Sequence, residues 1–222
     1  MFVLINRLKN MQKIDQTKLT HEIIETAYKL LTHKLAFGGL ITHNESAFQL
    51  ELGHILKTLG QLYEFRLSDK FHLEFETFLP LKTTSIKSQS ERARIDILIH
   101  YQDGDHQTCA AIELKFFKKS NHREPNNRYD VFTDLSNLEL YKKNGIDICY
   151  FILATDHAHY CNQIKYSDDT RDFDFRHKST YKEGTILSYR TPKPYGNDIT
   201  LMQDYEFLWD QINDLYFLKV QV

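Results

Sequence analysis

Three ionisable residues stand inside two apolar, strand-like runs of "RIDILIHYQDGDHQTCAAIELKFF", residues 94–117: Asp96, Glu113 and Lys115. Burying an unpaired charge is expensive, so groups placed this way need partners. Strand period two puts Glu113 and Lys115 on one face, opposite Ile112, Leu114 and Phe116. On the preceding strand Asp96, Leu98 and His100 face away from Ile95, Ile97 and Ile99. If the turn centres on Gly104-Asp105, Asp96 lies directly opposite Glu113. If it centres on Asp103-Gly104, the two are diagonal. Either register brings the carboxylates within roughly 5 to 8 Å at their roots. Two carboxylates that close repel unless something cationic lies between them. Lys115 supplies one charge. A hard divalent cation supplies more, with the Leu114 backbone carbonyl as a further oxygen donor. The chemistry this suggests is phosphodiester hydrolysis, in which a metal polarises phosphate and activates water while the ammonium holds or deprotonates that water.

The elements that must position these groups are legible as periodic segments. Residues 17–34 carry Ile23, Ile24, Ala27, Leu30 and Leu31 at helical spacing. A second helix is predicted from the N-cap Asn44, with Phe48, Leu52, Ile55, Leu56 and Leu59 inward and Gly60 as its stop. Residues 71–80 alternate as a half-exposed strand. The hairpin follows after a polar loop, then a second polar, basic loop, "KKSNHREPNNR". Residues 129–145 read as a helix, and 147–155 as a central strand covered on both faces. Beyond it, "YSDDTRDFDFRHKST" reads as a polar insertion, "TILSYRT" as an edge strand, "LMQDYEFLWDQIN" as a helix and "LYFLKVQV" as a last strand. The expected fold class is α/β: a mixed β-sheet flanked by helices, in one domain over 1–222. Its core is about 44–155, with an N-terminal helical segment 1–43 and a C-terminal extension 156–222.

Asp96, a turn, then "IELK" with Glu113 and Lys115, followed by a helix and an apolar strand, resembles the PD-(D/E)xK nuclease superfamily. The resemblance covers about 44–155. The Pro of the family motif is absent, since Ile95 precedes Asp96. The resemblance implies a restriction-endonuclease-like core with C-terminal additions. It also implies Mg²⁺ (or Mn²⁺) held by Asp96, Glu113 and the Leu114 carbonyl, and a water-assisting role for Lys115. Members often add an acid from the helix before the strands. Glu45 lies about 50° from the centre of that helix's apolar face and Glu51 about 70° on the other side. Glu45 is favoured, with Gln49 along the same side and Glu51 as alternate. Asp134, on the helix after the hairpin, is a candidate supporting group.

The formal net charge of -2 does not announce nucleic acid, but local charge does. Lys87, Arg92 and Arg94 precede the hairpin, and Lys118, Lys119, Arg123 and Arg128 follow it. Both loops flank the three charges and form a candidate phosphate-contacting rim. The expected partner is nucleic acid, with DNA favoured, engaged by a homodimer or by a larger restriction, repair or defence complex. The alternative is a non-catalytic nucleic-acid- or protein-binding module on the same fold. No apolar run is long enough to cross a bilayer, and "MFVLINRLKNMQK" lacks a signal-peptide core, so a cytoplasmic protein without membrane contact is expected. Cys109, Cys149 and Cys161 lack CxxC spacing and read as reduced thiols. "DHAHYC" reads as a strand-end loop rather than a zinc site.

Overall fold

A computed structural model describes residues 15–104 and 106–222; the N-terminal stretch read above for a leader, and Asp105 of the turn, lie outside them. Helix α1 (Gln16–Ala36) is capped by the Asp15 carboxylate, which accepts from Lys18 N–H. Helix α2 (Glu45–Gln61) starts at the expected cap, where the Asn44 side chain accepts from Ala47 N–H at 2.8 Å. Strands β1 (Asp69–Pro80), β2 (Arg92–Asp103) and β3 (His106–Phe117) then run as an antiparallel meander. Helix α3 (Glu124–Lys143) crosses over to β4 (Ile148–Thr155), which pairs parallel with β3.

Four short strands follow: β5 (Thr180–Tyr181), β6 (Ile186–Leu187), β7 (Ile199–Thr200) and β8 (Tyr205–Glu206). Strands β9 (Trp209–Ile212) and β10 (Leu215–Gln221) complete a six-stranded mixed sheet in the order β1-β2-β3-β4-β10-β9. The segment after Thr155 thus supplies two strands of the main sheet. Among the described residues no helix is long and apolar enough to cross a membrane.

Each sheet face has its own core. Helices α1 and α2 cover Ile112, Leu114, Tyr150 and Ile152 with Ile23, Ile24, Phe48 and Leu52. On the other face α3 covers Ala111, Phe151 and Leu153, and is itself overlaid by Phe173, Phe175 and Phe207. That second cover explains why α3 is buried almost all round rather than on one stripe.

Several expectations need correction. Helix α3 begins at Glu124, not Tyr129, because Pro125 suits the first helical turn, where its missing N–H costs nothing. Residues 201–213 form no helix. Tyr205, Phe207 and Trp209 alternate inward with exposed Glu206, Leu208 and Asp210, which is strand period two. "YSDDTRDFDFRHKST" is no polar insertion, since Phe173 and Phe175 are fully buried. "TILSYRT" forms only the two-residue β6. Gly60 does not stop α2, which runs through it; a Cβ there would collide with the ring of Phe71.

A local break in β2 bears directly on the site. Ile97 and Ile99 face the α1–α2 side, whereas Ile95 faces α3. The expected shared face of Ile95, Ile97 and Ile99 is therefore interrupted at Asp96. The β2–β3 ladder ends at Ile97↔Ile112, and the β1–β2 ladder passes from Phe75↔Ile97 to Thr77↔Ile95, omitting Glu76 and Asp96. Glu76 adopts φ +54°, a conformation that costs a residue with a side chain about 1–3 kcal/mol.

Candidate active site

The hairpin pairs Asp103 with His106, the register that sets position 96 opposite position 113. Where the ladder ends, the Asp96 side chain takes over: its Oδ2 accepts from Leu114 N–H at 2.7 Å. Gln49 fastens the same residue from α2, donating to the Asp96 carbonyl at 2.6 Å and to Glu76 Oε1 at 3.1 Å. Glu113 and Lys115 share the α3-facing side of β3, as period two requires, and α3 meets them with Asp134 and Tyr141.

Glu113 is fully buried; its Oε1 accepts from Tyr141 O–H at 2.8 Å and its Oε2 lies 3.2 Å from Lys87 Nζ. Asp134, also fully buried, bridges Lys87 and Lys115, with its Oδ2 at 2.8 Å from Lys115 Nζ. Lys115 Nζ further reaches the Leu114 carbonyl at 2.9 Å and Glu45 Oε1 at 3.6 Å. Glu45 is therefore the α2 acid at the site, held also by the Phe116 N–H, and Glu51 is not among the residues that reach it.

Burial and charge together set the titration of the cluster. Burial pushes Asp96 up to about 6 against the pull of Lys115, and pushes Glu113 well above the ordinary range despite Lys87. Burial acts on Asp134 in the same sense, but Lys115 and Lys87 together bring it below the usual carboxylate value. Burial would lower both lysines; Asp134 overcomes this and holds both ammoniums protonated.

The predicted cation donors are tested by these neighbours. Asp96, Glu113 and the Leu114 carbonyl are hard oxygens of the kind Mg²⁺ takes. Four carboxylates (Glu45, Asp96, Glu113, Asp134) meet two ammoniums (Lys87, Lys115), so the fully ionised cluster carries two negative charges in excess. Burial is the main cause of the raised Asp96 and Glu113 carboxyls and neighbouring carboxylates add to it; a divalent cation would offset the excess charge. The donors thus fit the ion by chemistry and charge. As the side chains stand, among the described residues, no three His, Cys, Asp or Glu groups close on one cation position; Lys87 Nζ stands against Glu113 instead.

Glu45, Lys87, Lys115 and Asp134 line a cleft of about 980 Å³, with Asp96 and Glu113 behind them, outside its lining. Lys118 and Arg123 line it, as expected of a basic rim. Lys87 also lines it, but as a partner of the buried acids rather than a free rim cation. Arg94 pairs with Glu76 at 2.8 Å and Arg92 lies over the Phe78 ring, so both engage β1. Lys119 is exposed beside the cleft.

Arg128 is a correction. It is 3% exposed, stacked on Tyr166 and donating to Thr170 Oγ1 at 3.1 Å, because the earlier start of α3 turns it into the C-terminal layer. In "DHAHYC", His157 lies 3.1 Å from Glu124 and His159 lies 3.0 Å from Arg128. Cys149 is buried, and Cys109 and Cys161 are half-buried free thiols.

Sequence reasoning missed the central place of Asp134 and Lys87, and gave Tyr141 no role. Asp134 and Tyr141 are seven residues apart on α3 and share a face, which was the available signal. Lys87 was read as a rim cation; nothing local pointed to its pairing with Glu113 and Asp134, which it reaches from a loop. No protein-family model, curated protein or solved structure matches the chain.

Proposed function

We propose that this chain is a metal-dependent nuclease of the PD-(D/E)xK type, acting on DNA. The observation that carries the reading is the convergence of Asp96, Glu113, Lys115 and Glu45 with Asp134 where the β2–β3 ladder opens, with Lys115, Glu45 and Asp134 lining the adjoining cleft. The order helix, three antiparallel strands, crossover helix and parallel strand supports a restriction-endonuclease-like core.

In this reading Asp96, Glu113 and the Leu114 carbonyl hold Mg²⁺ or Mn²⁺. The bound ion supplies Lewis-acid polarisation of the phosphate and a more acidic water. Tyr141 orients Glu113, and Gln49 fixes the backbone at Asp96. The protonated Lys115 offers a preorganised positive charge to a phosphate oxygen, aimed by Asp134 and Glu45. Lys118 and Arg123 contact flanking phosphates.

The test is hydrolysis of plasmid, linear duplex, single-stranded DNA and RNA with Mg²⁺, Mn²⁺ or chelator. Wild type is expected to cleave only with metal. Glu113→Ala and Lys115→Ala are each expected to lose at least about 100-fold in rate while still binding DNA. Binding without cleavage of any substrate, by wild type with either ion, would replace the nuclease by a non-catalytic nucleic-acid-binding module.

A further inference from the structure

The reacting groups are recessed. Glu113 and Asp134 are buried and Lys115 is nearly so. The segment 194–197 forms part of the cleft wall, with Tyr195 exposed at 48%. This wall is fixed to α3. Tyr129, itself buried, donates through its hydroxyl to the Asn197 carbonyl at 3.0 Å. The Tyr129 ring packs edge-on against Tyr195 at 5.6 Å, and a Cβ at Gly196 would collide with it. The Tyr195 hydroxyl lies 3.5 Å from Arg123 Nη2, and Arg123 is itself 3.8 Å from Asp130. Tyr195 is thus a supported ring beside a cation, in the same cleft that Lys115 lines.

We propose that this cleft takes an unpaired DNA strand, with a base stacked on Tyr195 and the neighbouring phosphate delivered to Lys115; this rests on the nuclease reading above. Two physical arguments favour a single strand over a duplex. A duplex is stiff over about 150 bp, so its backbone cannot bend into a walled recess without a large deformation cost, whereas a single strand follows the groove. An exposed aromatic beside an arginine, in a cleft also lined by Lys115 and Lys118, is the combination that binds unpaired nucleotides, since every base offers a face for stacking. Stacking inside a duplex leaves no base face for Tyr195 to meet, unless the base is extruded at further cost.

The experiment is fluorescence anisotropy with a labelled oligonucleotide, as single strand and annealed to its complement, in chelator so that nothing is cleaved. Wild type is expected to bind the single strand at least about tenfold more tightly than the duplex. Tyr195→Ala should weaken single-strand binding about tenfold, Tyr195→Phe should retain it, and duplex affinity should be unchanged in both. Equal thermal melts of the three proteins establish that the fold is kept. Equal affinity of wild type for the two forms, or an unaltered single-strand affinity in Tyr195→Ala, overturns the inference. Efficient metal-dependent cutting of intact duplex overturns it too, while leaving the nuclease reading standing. Failure to bind either form in chelator overturns this inference, while the metal-dependent cleavage assay decides the nuclease reading separately.

Discussion

Burial moves the Asp96 carboxyl from an ordinary 3.8 to about 6, and this gives the site a pH signature in metal-free protein. Between those values the folded chain holds a proton that the unfolded chain has shed. Stability contributed by this group is therefore complete below about pH 4 and is lost as pH rises through 6, by roughly 1.4 kcal/mol per pH unit in that window and about 3 kcal/mol at most. Urea unfolding of wild type in chelator should show that decline, and Asp96→Asn should make it shallower, the raised Glu113 carboxyl keeping part of it. Binding of the proposed cation at Asp96 would expel the same proton, so Mg²⁺ titration near pH 6 should then give heats that vary with the buffer's ionisation enthalpy. Parallel pH slopes in the two proteins would remove Asp96 from this role. The residue scale was also where sequence was most legible. Asp96, Glu113 and Lys115 were visible because period two and one Gly-bearing turn decide their faces. Lys87 and Asp134 were legible only as a rim cation and a supporting group; their pairing with Glu113 and Lys115 was not, because loop-to-strand and helix-to-strand pairs are set by tertiary packing.

Elements were legible wherever one periodicity dominated. α1, α2, β1 and β4 lie where their apolar spacing puts them. Residues 201–213 misled because Tyr205, Phe207 and Trp209 alternate in a stretch too short and too rich in neighbouring apolar groups to exclude a helix. Gly60 misled for a different reason. A glycine near a helix end suggests a stop, yet here its missing side chain admits the Phe71 ring. The two glycines of α2 make a paired test. Replacing either by Ala improves helix propensity by about 1 kcal/mol. At Gly60 the new Cβ meets the inner atoms of the buried Phe71 ring, and overpacking of about 1–3 kcal/mol outweighs the gain. At Gly53 it meets the outer end of the Phe75 ring, which is 42% exposed and free to turn away. Gly60→Ala is therefore expected to lower the denaturation midpoint, and Gly53→Ala to hold or raise it. Equal effects at the two sites would discard the packing explanation for Gly60.

At the scale of the whole molecule, the pieces read from sequence as additions are structural necessities. The expected core, about 44–155, omits α1 and everything after β4. In the structure α1 closes one face through Ile23, Ile24, Ala27 and Leu31, all essentially inaccessible. On the chain's other side β10 occupies the hydrogen-bonding edge of β4, register Tyr216↔Thr155 to Gln221↔Tyr150, and buries Phe217, Leu218 and Val220. A run as apolar as β4 belongs in a sheet interior, so some strand had to cover that edge; local pattern alone did not say which. Full burial of a large apolar side chain stabilises by about 1.5–3 kcal/mol, so losing the three from β10 alone removes roughly 5–9 kcal/mol. That is comparable to the whole net stability of an ordinary domain, about 5–15 kcal/mol. Residues 44–155 expressed alone are therefore expected to show no cooperative unfolding transition, and full-length chain ending at Asn213 should fail likewise, because it leaves the β4 edge bare. Circular dichroism in a urea series reads this directly. A cooperative transition in the 44–155 fragment with the midpoint of the full chain would make the flanking segments true additions, and would place the stability of the candidate site within the meander and α3 alone.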